Sequence, residues 1–404
     1  MILMNDFKAE PPEIREAMLQ ATSRVLESGR YVLGNEVKHL EEQWAKACGV
    51  DFGIGVGNGM DAIEIALNAL GLSSEDEVIS TSMTAFATIL AILRSGAKPV
   101  LADIDPETTL LSIESVRRCL TAKTKAVVLV HLYGQIRKMD EWVFFCEENN
   151  IMLIEDCAQA HQATSKGKVA GSFGQAGAYS FYPTKNLGAV GDAGMIITNN
   201  SVLAIKARQF RNYGQSERYL HPVIGRNSRL DEVHAAILSE RMKWLPEFTK
   251  RRRQIADSYH SKIDNSLVKH LIKPEERLSH VYHLFVITCP QRDRLQAHLL
   301  NKGVQALIHY PVTVQQQKPC SEIARDPNGL QNSEKHAYMC LSLPCHPQMS
   351  NTDIECVIES VNSFKGELWN ILSPCSIYYF CLRDWLYIDL WSDTQVIIHF
   401  GSCV

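Results

Sequence analysis

No uncharged apolar stretch in this 404-residue chain is long enough to cross a membrane as a helix. The longest suspect, "ILSPCSIYYFCL" near the C-terminus, stops at Arg383 and Asp384. The start, "MILMNDFKAEPPE", has too short an apolar run for a signal peptide and meets acid and proline early. Positive charge is not in excess: 41 Lys and Arg face 45 Asp and Glu, a formal net charge of −4. That argues against a nucleic-acid binder working through a broad basic field. None of the twelve cysteines form a CxxC pair, which excludes the usual zinc spacing and a disulfide framework and reads as reduced thiols. The "GKS" of a phosphate-binding loop is absent, and so is the strand–GxGxxG–helix order of a dinucleotide site. These absences leave a cytoplasmic globular protein with no metal, membrane or nucleic-acid partner.

What is present is a repeating texture. Short Val- and Ile-rich runs occupy 77–83, 98–105, 125–134, 151–158, 177–183 and 194–198. Between several of them lie apolar residues at helical spacing, such as Ile113, Val116, Cys119 and Leu120. Strand and helix alternating this way predict an α/β fold with a mainly parallel sheet covered on both faces. Ligands of such sheets collect at the carboxyl ends of the strands. A charged helical stretch follows from about Leu230 to Ser261, interrupted at Pro246. "HVYHLFVITCP" (280–290) reads as a strand of a second, smaller domain, which "SNTD" and an amphipathic helix close. The expected division is a large domain over 1–245, a small one over 246–366, and an atypical aromatic, cysteine-bearing tail over 367–404.

Four features along that frame carry chemistry. Asp156 ends the apolar run "LIED", where a carboxylate is costly without a partner. It either caps the next turn or keeps a heterocyclic nitrogen protonated, with Gln159 aimed at the same ligand. Lys185 lies between the aromatic "AYSFYP" and the glycine-studded "NLGAVGDAG". It is either a solvated amine or, at a partly dry strand end, an amine of lowered pKa able to form an imine. An acid for a pyridine nitrogen and an imine-forming lysine are the pair that pyridoxal phosphate requires. Ser180, two residues before Tyr182 on the same strand end, could hydrogen-bond a phosphate. "GVGNGMDAIEIALNAL" (55–70) is a glycine turn running into an apolar helix, so amides near Gly59 and Met60 face an anion at its positive end, unless the turn is only structural. Phe86 is either a core ring or one that stacks on a cofactor.

The segments "GNGMDAIEIAL", "GAKPVLADIDP", "IEDCAQAH", "SFYPTKNLGAVGDAG", "GRNSRLDEVHAAIL" and "HYPV" resemble the DegT/DnrJ/EryC1/StrS family over roughly residues 5–365. The resemblance implies an aspartate aminotransferase-like fold (type I of the pyridoxal-phosphate enzymes) with a seven-stranded sheet and a smaller α+β domain. It implies a sugar aminotransferase with pyridoxal 5'-phosphate as cofactor. Lys185 is then the imine-forming lysine, Asp156 the partner of the ring nitrogen, Gln159 a neighbour of the ring hydroxyl and Phe86 the stacking ring. Ser180 and the backbone of Gly59 and Met60 hold the phosphate, and Asn227 reaches it from the neighbouring subunit of a homodimer. His309 and Tyr310 contact the sugar.

The sequence departs from the family at some positions. Met60 stands where threonine is usual, Ala193 replaces a glycine, Gln162 another glycine and His234 a glutamine. Ala193 and Gln162 are expected near the walls of the site. A hydrophobic residue at the Met60 position is similar to family members that aminate C3 of a nucleotide-linked keto sugar, so the resemblance implies a dTDP-3-keto-6-deoxyhexose as acceptor, with an amino acid such as L-glutamate as donor, in amino-sugar or polysaccharide biosynthesis. The rival readings are a 4-keto sugar aminotransferase, a sugar dehydratase of the same family, and a regulatory protein that binds the cofactor without turnover. Dehydratases typically carry histidine in place of the lysine, which Lys185 speaks against.

Overall fold

The computed structural model describes residues 1–274 and 276–366; the tail with Cys375, Cys381 and Cys403 lies outside the described residues. Two helices open the chain, α1 (Pro12–Ser28) and α2 (Asn35–Cys48). Then follow β1 (Phe52–Val56), α3 (Gly59–Leu70), β2 (Glu77–Thr81), α4 (Phe86–Ser95), β3 (Lys98–Ala102), α5 (Ile113–Cys119), β4 (Thr124–Val130), α6 (Met139–Glu148) and β5 (Met152–Asp156). A small hairpin, β6 (Thr164–Ser165) and β7 (Lys168–Val169), precedes β8 (Ala176–Ser180), β9 (Gly194–Thr198), α7 (Ser201–Phe210), α8 (Glu232–Met242) and α9 (Leu245–Lys262). The remainder is β10 (Lys269–His270), β11 (Phe285–Thr288), α10 (Arg292–Asn301), β12 (Ala324–Arg325), α11 (Gln331–Met339), β13 (Cys340–Leu343) and α12 (Asn351–Asn362).

All six expected strands of the main sheet form, most of them shorter than the apolar runs that announced them. The run 98–105 stops at Ala102 because the Asp103 carboxylate accepts from Ile104 N, Asn332 N and Ser333 N, and so leaves the ladder to cap α11. The sheet order is β1-β9-β8-β5-β4-β2-β3-β12. Strand β9 runs antiparallel to both neighbours and every other pairing is parallel. The sheet thus has eight strands where seven were expected. The eighth, β12, is two residues long, and Asp326 beside it is held by Arg118 Nη2 at 2.6 Å. A pairing fixed by an ion pair between distant segments leaves no local pattern to read.

Strand β1, "FGIGV", also gave no signal, because two of its five residues are glycines. A Cβ on Gly53 would lie 2.5 Å from the Glu41 carbonyl oxygen, so α2 packs too close for any side chain there. Alternate strand residues feed two cores. Val127, Leu129 and Leu153 face α2, α5, α6 and α8, whereas Ala126, Val128 and Ile154 face α3, α4 and α7. The stretch around Pro246 splits into α8 and α9, with the proline in the first turn of α9, where its missing N–H costs nothing. Strands β10, β11 and β13 form a second, antiparallel sheet packed by α9, α10 and α12. Helix α12 starts in a capping box of Ser350 and Asp353.

Candidate active site

The carboxyl ends of β5 and β8 lie side by side, with Asp156 paired to Ala178, and the first turn of α3 abuts them. Asp156 is 6% exposed. Its Oδ2 accepts from Thr88 Oγ1 at 2.8 Å and its Oδ1 from Ala158 N at 3.1 Å. The bond from Ala158 N makes it the cap of the next turn, and its burial leaves a carboxylate at the strand end that can also serve a ligand. The preceding acid, Glu155, faces the other way. It accepts from Gly171 N, Phe173 N and Gly174 N and pairs with His131 at 2.9 Å, so it fastens a loop.

Lys185 is half-buried, four residues before the well-packed Ala189. Burial lowers its pKa and the Asp156 charge pulls it partly back. Three imidazoles near it are kept neutral. Burial, with the charge of Lys185 adding to it, brings His161 down to about 3 and His309 to about 4, and drives His283 well below its usual value. His283 Nδ1 bonds Asn186 Oδ1 at 3.2 Å, and Asn186 Nδ2 donates to Val281 O at 3.1 Å. The residue after Lys185 is thereby tied to the segment before β11.

Helix α3 supplies an anion cradle. Asn58 caps it by accepting from Asp61 N at 2.8 Å, and the first-turn amides of Gly59 and Met60 are left without intrahelical acceptors. A Cβ on Gly59 would lie 2.5 Å from Ser180 Cβ, which brings Ser180 directly against this turn. Gly194 is required for the same reason, since its Cβ would lie 2.4 Å from Asn58 C. The Met60 side chain packs against the apolar core of its own face, so its offering to an anion is the backbone amide. Phe86 is half-buried in the same turn of α4 as Thr88.

Gln159 uses both ends of its amide: Oε1 accepts from Tyr133 N at 2.6 Å and Nε2 donates to Tyr310 OH at 3.2 Å. His309 Nδ1 meets Ser342 Oγ at 2.8 Å. Asp156, Gln159, Ser180, Lys185, His309 and Tyr310 are therefore linked to one another directly or through shared neighbours. Asn227 is exposed in the single chain, and the adjacent Ser228 accepts from Gly57 N and donates to Asp61. Gln162 is tied to the end of a helix. Its Nε2 donates to Ala47 O at 3.2 Å and so secures the end of α2. Ala193 is buried and receives Phe181 N on its carbonyl, while His234 Nδ1 bonds Asp192 O in the loop after Lys185. Thr88, Tyr133 and His283 were not singled out from sequence; the one local hint is Tyr133, next to a glycine just past a strand.

The donor set fits pyridoxal phosphate: a buried carboxylate for the ring nitrogen, a lysine of lowered basicity, and a helix N-terminus beside a serine hydroxyl for the phosphate. The family model for DegT/DnrJ/EryC1/StrS aminotransferases matches residues 12–362. A dTDP-3-amino-3,6-dideoxy-alpha-D-galactopyranose transaminase of Aneurinibacillus thermoaerophilus is 41% identical over 90% of this chain and 99% of its own. A Geobacillus stearothermophilus protein described as a pleiotropic regulatory protein is 40% identical over 89% of this chain and 98% of its own. The crystal structure of DesV from S. venezuelae in complex with a ketimine intermediate superposes with a TM-score of 0.86 at 36% identity, covering 89% of this chain and 97% of that one. The chain belongs to the DegT/DnrJ/EryC1/StrS aminotransferase family and is a pyridoxal-phosphate-dependent aminotransferase.

Proposed function

We propose that this chain moves the amino group of an amino acid, L-glutamate in the first instance, to the ketone of a dTDP-3-keto-6-deoxyhexose, acting as a homodimer with shared sites. The observation that carries the reading is the pair of Lys185, with its lowered pKa, and buried Asp156 beside it. The relative named for a dTDP-3-amino sugar supports the acceptor class. Exposed apolar side chains in the 213–224 loop, among them Tyr219 at 80% and Ile224 at 91%, support a covered face there. In that assembly Asn227 reaches the phosphate of the neighbouring subunit.

When bound, pyridoxal phosphate supplies an aldehyde that carries the amino group and a pyridine ring that takes up the electron pair of the broken C–H bond. Lys185 Nζ takes the proton from the donor's α-carbon and later returns one to the acceptor carbon, as base and then acid. Desolvation leaves a larger fraction of this amine unprotonated than an exposed lysine would have. Asp156, fixed by Thr88 and the Ala158 amide, holds a proton on the ring nitrogen. The Gly59 and Met60 amides and Ser180 fix the phosphate. His309 and Tyr310 orient the sugar, with His309 neutral and so free of charge repulsion with Lys185.

The test is regiochemical. With L-glutamate and a panel of dTDP- and UDP-linked 3-keto and 4-keto sugars, NMR of the product should show a new C3 amine on the dTDP-linked 3-keto sugar. Amination at C4, or of UDP-linked sugars only, would replace this acceptor by another. A cofactor spectrum unchanged by glutamate would point to a regulatory role without turnover.

The phosphate cradle gives a further expectation. Gly59→Ala forces Ser180 and the start of α3 apart, a clash worth about 1–3 kcal/mol. Thermal denaturation should show a lower Tm, and titration with pyridoxal phosphate a weaker Kd. An unchanged Kd would mean that this turn does not hold the phosphate.

A further inference from the structure

Tyr133 closes a hydrogen-bonded ring around the site. Its N–H donates to Gln159 Oε1 at 2.6 Å, and Gln159 Nε2 donates to Tyr310 OH at 3.2 Å. The chain runs back one residue to His309, whose carbonyl accepts from Tyr133 OH at 2.6 Å. The hydroxyl has one proton, and it is spent on that carbonyl. His336 Nε2, 2.8 Å away, must therefore be the donor of the other bond to Tyr133 OH. Burial keeps His336 neutral, with a pKa lowered to about 4, and the protonated Nε2 fixes its tautomer.

The backbone there is unusual as well. Tyr133 has φ +63°, a conformation costly for a residue with a side chain, and is 1% exposed. Gly134 follows at φ +94°, and a Cβ on it would lie 2.6 Å from the Gln159 carbonyl oxygen. The turn is pressed against the Gln159 backbone, and the phenol bonds the segment carrying His309 and Tyr310.

We propose that Tyr133 is a positioning residue for the acceptor half of the reaction, setting His309 and Tyr310 in register with Gln159. The assignment rests on the function proposed above. Lys185 and Asp156 are outside the ring, and the bond that holds the cofactor-facing Gln159 comes from the Tyr133 main chain, so loss of the phenol hydroxyl should spare the donor half. The ring makes the sugar-facing segment answer to the cofactor-facing amide through one phenol.

Tyr133→Phe removes the hydroxyl but keeps the backbone bond to Gln159. In the full-length enzyme loaded with pyridoxal phosphate, the single-turnover reaction with L-glutamate should stay within about twofold of wild type. The kcat/KM for the keto sugar should fall about tenfold, because the His309 carbonyl and His336 Nε2 both lose the phenol as partner and the segment carrying His309 and Tyr310 is no longer held in place. His336→Leu keeps Tyr133 and its bond to His309 O but removes the imidazole that donates to the hydroxyl and packs on its ring; it should give the same acceptor-only loss at smaller size. Equal losses in both half-reactions, or none for the sugar, would overturn the proposal.

A second readout is independent of turnover. In the cofactor-free chain, amide hydrogen exchange over residues 307–313 should rise in Tyr133→Phe while β5 and β8 exchange as in wild type. Unchanged exchange over 307–313 would overturn the positioning role even if the enzyme proves to use another acceptor. A wild type that fails to react with glutamate or any keto sugar would instead overturn the proposed function.

Discussion

Lys185→Ala should lose turnover by at least about a thousandfold, in the range expected when a proton-transfer group is removed. It should also lose the visible absorbance that the wild-type chain gains with pyridoxal phosphate through its bond to Nζ. Both follow from one atom. The candidate bases around Lys185 are His161, His283 and His309, each bonded through one ring nitrogen, while His161 Nδ1 has no partner. His161 bonds Ser180 O, His283 bonds Asn186 Oδ1 and His309 bonds Ser342 Oγ, and burial suppresses the proton affinity of all three. With proton affinity this low, none is a base that matches the amine. The fold should tolerate the change, because Lys185 is half-buried and its backbone N–H still donates to Tyr182 O at 2.8 Å. Stopped-flow absorbance and steady-state assay check the two losses, and a circular dichroism melt checks the fold. Comparable transamination by the alanine variant would mean that another amine does the chemistry.

The parts of this site that could be read in sequence are those fixed by short-range rules. Asp156 and Lys185 were visible because each follows a strand-like run, and charge at a strand end needs a reason. The Gly59 turn was visible because glycine before an apolar helix marks a helix start. Strand β1 was hidden by the glycines that let α2 approach it, and β12 by its two-residue length. Thr88, Tyr133 and His283 were hidden for a different reason. A threonine in a helix, a tyrosine after a strand and a histidine in a loop have many uses, and only their partners 68, 26 and 97 residues away in sequence reveal which applies. The partner of Gln162 was hidden for the same reason. The residue lies beside "CAQAH", which suggested the site wall, and its amide turns to Ala47.

Asp156→Asn separates binding from rate. Both carboxylate oxygens are acceptors in the wild type, from Thr88 Oγ1 and Ala158 N, so an amide must turn its NH2 toward one of them. The main-chain N–H cannot reverse, but the hydroxyl can. Thr88 Oγ1 also lies 2.9 Å from Thr84 Oγ1, and either of that pair can be the donor. Thr88 therefore accepts from the new amide and gives its proton to Thr84, and the fold is kept. What is lost is the negative charge that holds a proton on the ring nitrogen, a preorganised electrostatic contribution of about 10²- to 10³-fold in rate. The same charge raises the pKa of Lys185 against the effect of burial. Without it the amine should lose its proton at lower pH, so the limb of the pH–rate profile that reports Lys185 should move to the acid side. The variant should thus bind pyridoxal phosphate, show its absorbance, turn over slowly, and titrate earlier. A near-normal kcat would remove Asp156 from the chemistry. A slow variant whose Lys185 limb stays in place would mean that the carboxylate acts on the ring alone and does not reach the amine.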